Sequence, residues 1–358
     1  MPSDLERVRF PARRSFHADL KGKVEAYFEG TARSRHGGWA MGAKSATLFA
    51  WLVASYALLM FVPVHAWEAA LLSVSIGLAM AGIGFSVMHD ANHGGTSSNA
   101  EANRVLSFTF DLMGASSFLW RFKHNVLHHA YPNLEGLDPD IEAGSPLLRL
   151  APWQSRRWHH RFQHLYVWLL YGLFPLQWWF IDDARELATG RIGGHQFPPA
   201  RGRTLVAALA GKAIFICWAF VLPAVLHPSW SLLLCWGLAI FTLGNVLAAV
   251  FQLAHCVDEA EFLASRQVES DWAEHQVATT VDFARSNALL GWYLGGLNFQ
   301  VEHHLFPRVC HLHYPALSKI VEATCRNHQV RYRCEPTLGS ALAANLRWLR
   351  RMGSTAGG

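Results

Sequence analysis

Along this chain the apolar positions gather into four long, nearly uncharged runs, and a bilayer core of about 30 Å takes about 20 such residues as a helix. Thr47 to Val62, with its apolar flanks, and Ala69 to Met88 are separated by a short segment containing Pro63-Val64-His65-Ala66-Trp67, which predicts a transmembrane hairpin. Leu205 to Leu226 and Ser231 to Leu253 are separated by His227-Pro228-Ser229-Trp230. Pro punctuates that turn and Trp suits a membrane interface, so a second hairpin is expected. The spans fall at about 45–64, 68–88, 205–226 and 231–254. Between the hairpins, Ala102 to Trp120 and Phe162 to Ile181 are aromatic-rich but interrupted by charges, Gly or Pro, a pattern of interfacial or re-entrant helices. Phe16 to Phe28 is amphipathic and is expected to be solvated or to lie on the membrane surface. The chain from Val257 onward is polar enough to form a cap, and its Gly-rich end after Met352 is expected to fray. The pattern predicts an all-α integral membrane protein of four spans in two hairpins, with interfacial helices and a polar cap. It divides into an N-terminal segment 1–42, a membrane domain 43–330 and a C-terminal tail 331–358.

Composition agrees with that pattern. Of 358 residues, 51% are hydrophobic and only 16% charged, which points away from an ordinary soluble enzyme. The 31 Lys and Arg divide as nine through Lys44, eleven between the hairpins, Lys212 inside the third run, and ten after His255. Neither short loop holds any, so the N-terminus, segments 89–204 and 255–330 and the C-terminus are expected on the cytoplasmic side of a multi-pass protein. Lys212 is expected to snorkel to that interface or to sit near a bound chain. The net charge of +5 is explained by topology and by anionic membrane lipid, and no nucleic-acid signature is present. The six cysteines include no C-x-x-C pair, the pattern of reduced thiols. The first 40 residues lack an apolar core of a signal peptide, so the first span is expected to direct insertion.

Chemistry enters with the 20 histidines, whose positions matter more than their number. His89 and His93 stand four apart where the second span meets the cytoplasm, so on a continuing helix both imidazoles share one face and offer a bidentate metal site. His124 and His128 repeat the spacing, and His129 is rotated by about 100 degrees from its neighbour, letting one turn address two directions. His303 and His304 give a similar arrangement, with Gln300 stacked beneath them as a weak ligand at best. His255 stands alone at the end of the fourth span, at a depth matching His89. Topology brings all four groups to one membrane face. Imidazole-rich sites suit iron, zinc, copper or nickel. Paired redox metals would activate oxygen, whereas zinc would favour hydrolysis.

The order HDANH, KHNVLHH and FQVEHHLFP around two hairpins resembles the membrane fatty acid desaturases, over roughly Ser45 to Val330, and the Gln-initiated third box is most similar to the front-end branch. The resemblance implies two ferrous ions with dioxygen as co-substrate, and a substrate tunnel entering the membrane. It implies metal ligands at His89, His93, His124, His128, His129, His255, His303 and His304, with Gln300 at a variant position. The expected reaction is insertion of a cis double bond into an acyl chain carried on coenzyme A, a carrier protein or a glycerolipid. Hydroxylation is the alternative within the same superfamily. A non-catalytic metal transporter is the distant one, disfavoured because no span interior holds a histidine. Many front-end members carry a fused cytochrome b5 domain. The 42 residues before the first span are too few for one and no His-Pro-Gly-Gly haem loop is present, so electrons are expected from a separate ferredoxin or cytochrome b5 with its reductase. Relatives with a water-bridging Asn one turn before the extra histidine would place it at Phe251, and Gln252 is the nearest polar substitute.

Metal-bound imidazoles usually donate their other N–H to a carboxylate or carbonyl. Asp138 is the first candidate for that role, ahead of Asp90, Asp140 and Glu302, with Asp140 equally explained as part of an ordinary turn. Asn92 and Asn125 are divided between local capping and contact with the site. His160 and His164 also stand four apart, but Arg156, Arg157 and Arg161 surround them, which suits a membrane-surface anchor or a phosphate better than a metal. Turn chemistry suffices for His311 and His313 in Cys-His-Leu-His-Tyr-Pro.

Overall fold

The structure is a computed structural model and describes residues 10–11, 14–264 and 270–354. Most of the end expected to fray, from residue 355 on, lies outside the described residues. The first element among the described residues is α1 (Arg14–Thr31), followed by α2 (Gly38–Phe61) and α3 (Ala66–His93), the first pair of helices long and apolar enough to cross a membrane. Next come α4 (Ala100–Leu112), α5 (117–128) and α6 (163–189), each of the last two built from α-helical and π-helical stretches. The second membrane pair is α7 (Arg203–Leu226) and α8 (Ser231–His255). A cap follows, with α9 (Trp272–Thr279), α10 (Gln300–Leu305), α11 (Tyr314–Asn327) and α12 (Leu338–Ser354). Among the described residues, strand is confined to two-residue pairings and an isolated bridge, including a parallel pairing of Asp282–Phe283 with Cys334–Glu335.

The central span is α3. It is largely covered by protein, whereas α7 and α8 turn most of their surface outward. It packs against α2 on one side and α8 on the other, while α7 leans on α4, and α8 also carries α6. Close approach explains the glycines at these crossings, since without a hydrophobic drive between helices in lipid, small residues allow backbones to meet. A Cβ at Gly77 of α3 would meet the backbone of Ala239 on α8, and one at Gly244 of α8 would lie 2.7 Å from Pro175 Cδ and 3.0 Å from Gly172 O. Overpacking of this kind costs about 1–3 kcal/mol or more. Gly244→Ala is therefore expected to lower the melting temperature of the detergent-solubilised protein by several degrees. Gly237→Ala on the same helix, with nothing within 4 Å of the added methyl, should leave it unchanged, and equal shifts in the two variants would refute the close-packing account.

Three expectations need correction. Phe16, Leu20, Val24 and Phe28 recur every four residues along α1, but their stripe is buried against Phe299, Val301, Leu305, Leu317 and Val321 of the cap. An apolar stripe of this width fits lipid or protein equally well, and here protein covers it, burial worth roughly 1.5–3 kcal/mol per side chain. Lys212 neither snorkels nor points into a chain-binding space. Its Nζ donates to the carbonyl oxygens of Gly114 and Trp179 and pairs with Asp183 Oδ2 at 3.0 Å, tying α7 to α6 and to the end of α4. Residues 338–354 are no loose tail. Ala341, Ala344, Trp348, Leu349 and Met352 of α12 are buried, and the helix packs on α6 and α8.

Because α3 and α8 both end on a histidine at the capped end of the bundle, the antiparallel hairpins deliver His89, His93 and His255 to one level. Neither α4 nor α6 is among the four candidate spans. Both lie beside the spans and carry the second histidine box on α5 up to that level.

Candidate metal centre

The two boxes on the membrane side are shaped by π-helical turns. Gly84–Met88 precedes His89 in the π conformation, and His89 N–H bonds Gly84 O. The stretch Arg121–His128 is likewise π-helical, with His129 N–H donating to His124 O at 2.9 Å. Single π turns inside helices concentrate at functional sites, and here one resets the geometry of the second box. An α-helix would stack His124 over His128. The wider turn keeps that stack, with the two rings 5.3 Å apart, and also brings the pair five apart together, with His129 Nε2 3.1 Å from His124 Nε2.

Two groups of imidazoles result. His89, His93, His124 and His303 form one, and His128, His255 and His304 the other, each group with its ring nitrogens within 4.8 Å of one another. His129 stands between them, its ring 4.6 Å from that of His303 and 4.4 Å from that of His304. All eight are buried. The Nε2 atoms of His93, His128, His303 and His304 have no hydrogen-bond partner among the described residues, although buried polar atoms ordinarily find one. A converging set of buried, unpartnered imidazole nitrogens fits a metal site. Protonation states agree: burial first, and then the neighbouring imidazoles, hold His124, His129, His303 and His304 well below the ordinary imidazole value, in the neutral form that ligates.

The other ring nitrogens are held from behind. Asp138 Oδ2 accepts from His128 Nδ1 at 3.0 Å and from Asn133 N–H at 2.9 Å. Burial opposes charge on His128, but the Asp138 carboxylate outweighs it and raises that imidazole above its ordinary value. Gln276 Oε1 lies 2.8 Å from His304 Nδ1, and Tyr314 Oη 3.2 Å from His303 Nδ1. Neither residue stands in a motif, and only the tertiary fold brings them in. Trp120 stacks on His124 at 4.2 Å. Gln300 places its amide nitrogen 3.0 Å from His255 Nε2, so it sits beside the second group. Phe251 stacks on His255 at 4.8 Å, and Gln252 turns into the cavity wall with Oε1 unpartnered among the described residues.

Other candidates fall outside this frame. Asp90 lies 4.0 Å from His89 Nδ1 but accepts from His311 Nδ1 at 2.7 Å, and His311 Nε2 meets Lys44 Nζ at 2.7 Å. Turn chemistry alone is therefore an incomplete account of His311, which links the cap to α2 and α3. Asn125 donates to Asn92 O at 3.0 Å, fastening the second box to the first. Glu302 accepts from Tyr332 Oη at 3.0 Å in a network that includes Asp282, rather than from a ligand-candidate imidazole. His160 accepts from Arg157 N–H at 2.9 Å and lies 3.0 Å from Pro146 O, away from the centre. Arg156 donates to Gly353 O at 2.8 Å, holding the end of α12.

A cavity of about 620 Å³ opens beside the centre, with His89, His124 and Gln300 in its wall and Met80, Leu243 and Leu247 deeper among the spans. The family model for fatty acid desaturases matches residues 65–336. The chain belongs to the fatty acid desaturase family. The desaturase is 38% identical to the sn-1 linoleoyl-lipid 6-desaturase of Synechocystis sp., over 97% of this chain and 98% of that protein. It is 36% identical to the enzyme of the same name from Arthrospira platensis, over 98% and 96%. It is also 36% identical to the acyl-lipid (8-3)-desaturase of Physcomitrium patens, over 95% of this chain and 72% of that protein. The desaturase is thus a membrane oxidoreductase that introduces double bonds into fatty acyl chains, with a lipid substrate and a metal-binding histidine centre.

Proposed function

We propose that the desaturase inserts a cis double bond at carbon 6, counted from the carboxyl end, of an acyl chain carried on a membrane glycerolipid. Two ferrous ions held by His89, His93, His124, His128, His129, His255, His303 and His304 serve the reaction, and dioxygen is the co-substrate. The observation that carries this reading is the division of buried imidazoles into two groups beside a chain-sized cavity. The carbon-6 position and the glycerolipid carrier are supported by the names of the two cyanobacterial relatives. Bound iron supplies the dioxygen chemistry that reaches an unactivated C–H bond. The protein's residues do the rest. Asp138, Gln276 and Tyr314 orient the imidazoles, the apolar wall excludes water, and the bend and depth of the cavity select one methylene pair by positioning. Electrons arrive from a separate ferredoxin or cytochrome b5. The Lys and Arg distribution supports a metal centre and both termini on the cytoplasmic side.

Gas chromatography with mass spectrometry of the lipids of a heterologous host tests this reading, with the electron donor co-expressed. A new fatty acid unsaturated at carbon 6, in the glycerolipid rather than the acyl-coenzyme A pool, is expected. A hydroxy acid, or a product confined to acyl-coenzyme A, would overturn it. His160→Ala is expected to retain most of the product, because that imidazole is occupied away from the centre; loss equal to that of a centre histidine would defeat the site assignment.

A further inference from the structure

The cavity beside the metal centre is apolar along most of its wall but includes one ion pair, Lys123 Nζ to Asp140 Oδ1 at 3.1 Å, with the side chains only 20% and 16% exposed. A charged pair withdrawn from water next to an acyl cavity costs free energy unless something uses it. Its location restricts what that is. Lys123 directly precedes His124 in the chain, and an Asp140 carboxylate oxygen lies within 4.8 Å of ring nitrogens of His124 and His128. On the other side, the wall continues from Asp140 into Ala143, Ser145, Pro146 and Leu147, which are exposed. The opposite reach of the cavity is apolar. Met80 lies nine residues before His89 on α3, roughly 14 Å further into the bundle at helical rise.

The cavity is thus polarised, with a polar rim close to the metal centre and an apolar end deep among the spans. An acyl chain fits it with the methyl end inward and the carbonyl at the rim. Resting on the reading that the desaturase counts from the carboxyl end, we propose that Lys123 is the receptor for the acyl carbonyl of the substrate. Its ammonium donates to the carbonyl oxygen while Asp140 holds it in place, which fixes the number of methylenes between the ester and the centre. An ammonium has three donors. One faces Asp140, while the carboxylates of Glu186 and Asp182 act on the ammonium from farther off, so donors remain for a carbonyl oxygen. The chemistry recognised is a carbonyl oxygen, common to a glycerolipid ester and a thioester.

The test separates carbonyl recognition from catalysis. Dilinoleoyl phosphatidylcholine, its ether-linked counterpart lacking the carbonyls, and linoleoyl-coenzyme A are used to displace a fluorescent fatty acid from the detergent-solubilised full chain. Wild type is expected to prefer the ester over the ether by about tenfold, the scale of a hydrogen bond from a charged donor. Lys123→Met should bind both at the ether level with its metal content unchanged, and Lys123→Arg should restore the preference. Linoleoyl-coenzyme A binding that also falls in Lys123→Met would identify the thioester as a second source of the same carbonyl. In the host assay, Lys123→Met should spread the double bond over neighbouring positions, whereas Lys123→Arg keeps one. Equal binding of ester and ether by the wild type overturns the proposal, whether or not Lys123→Met folds, and so does an undiminished ester preference in Lys123→Met. A wild type that makes no product yet discriminates ester from ether would sink the proposed reaction and leave the carbonyl receptor standing.

Discussion

A His304→Ala chain is expected to reach the membrane at the wild-type level and to form no detectable double bond. His304 contributes an unpartnered Nε2 to the second imidazole group. It is fixed from behind by Gln276 and stacks at 4.4 Å on His129, the ring shared between the groups. Removal takes away one nitrogen of a three-member set. The fold does not depend on that nitrogen, since α10 is held by packing of Val301 and Leu305 against α1 and α11. Iron quantification on purified protein should fall from two ions per chain toward one, in parallel with loss of product by gas chromatography. Retention of both iron and product in His304→Ala would remove His304 from the centre.

How much of this was legible beforehand depends on where each residue's partners lie in the chain. The four spans were readable because membrane length and apolarity are properties of continuous runs, as in Ser231–His255. The pair His89 and His93 was readable for the same reason, as both sit on one short α-helical turn. The second box was only half readable. Its histidines are local, but across the π stretch Arg121–His128 His124 meets His129 as well as His128, and nothing in the spacing of His124, His128 and His129 announces that turn. Gln276 and Tyr314 were not readable at all, since each reaches its histidine from a separate segment of the cap. The amphipathic α1 shows a third limit. Periodicity reveals that one face is apolar without saying whether lipid or protein covers it. Lys212 shows the same limit for charge, because its carboxylate partner Asp183 comes from another helix.

Asp138→Asn tests whether the support behind the imidazoles matters as much as the imidazoles themselves. In the wild type one carboxylate serves three donors: Oδ2 takes His128 Nδ1 and Asn133 N–H, and Oδ1 takes Asp140 N–H at 3.0 Å. The amide has the same shape but one acceptor oxygen instead of two and no charge. It therefore cannot satisfy both sides of this arrangement. Loss of the carboxylate removes the main influence that holds His128 above its ordinary value against burial. More consequentially, it stops enforcing the tautomer that directs Nε2 toward the second group. Loss of such an orienting partner typically costs about 10–100-fold in metal affinity, equivalent to about 1.4–2.7 kcal/mol. Titration of the metal-free chain with ferrous iron should show this weakening for one of two ions, and saturating iron should restore much of the activity. His304→Ala should not recover under the same conditions, because iron can compensate for a weakened ligand but not for an absent one. Unchanged iron affinity in Asp138→Asn would mean that Asp138 secures the turn at Asn133 and Asp140 without tuning His128.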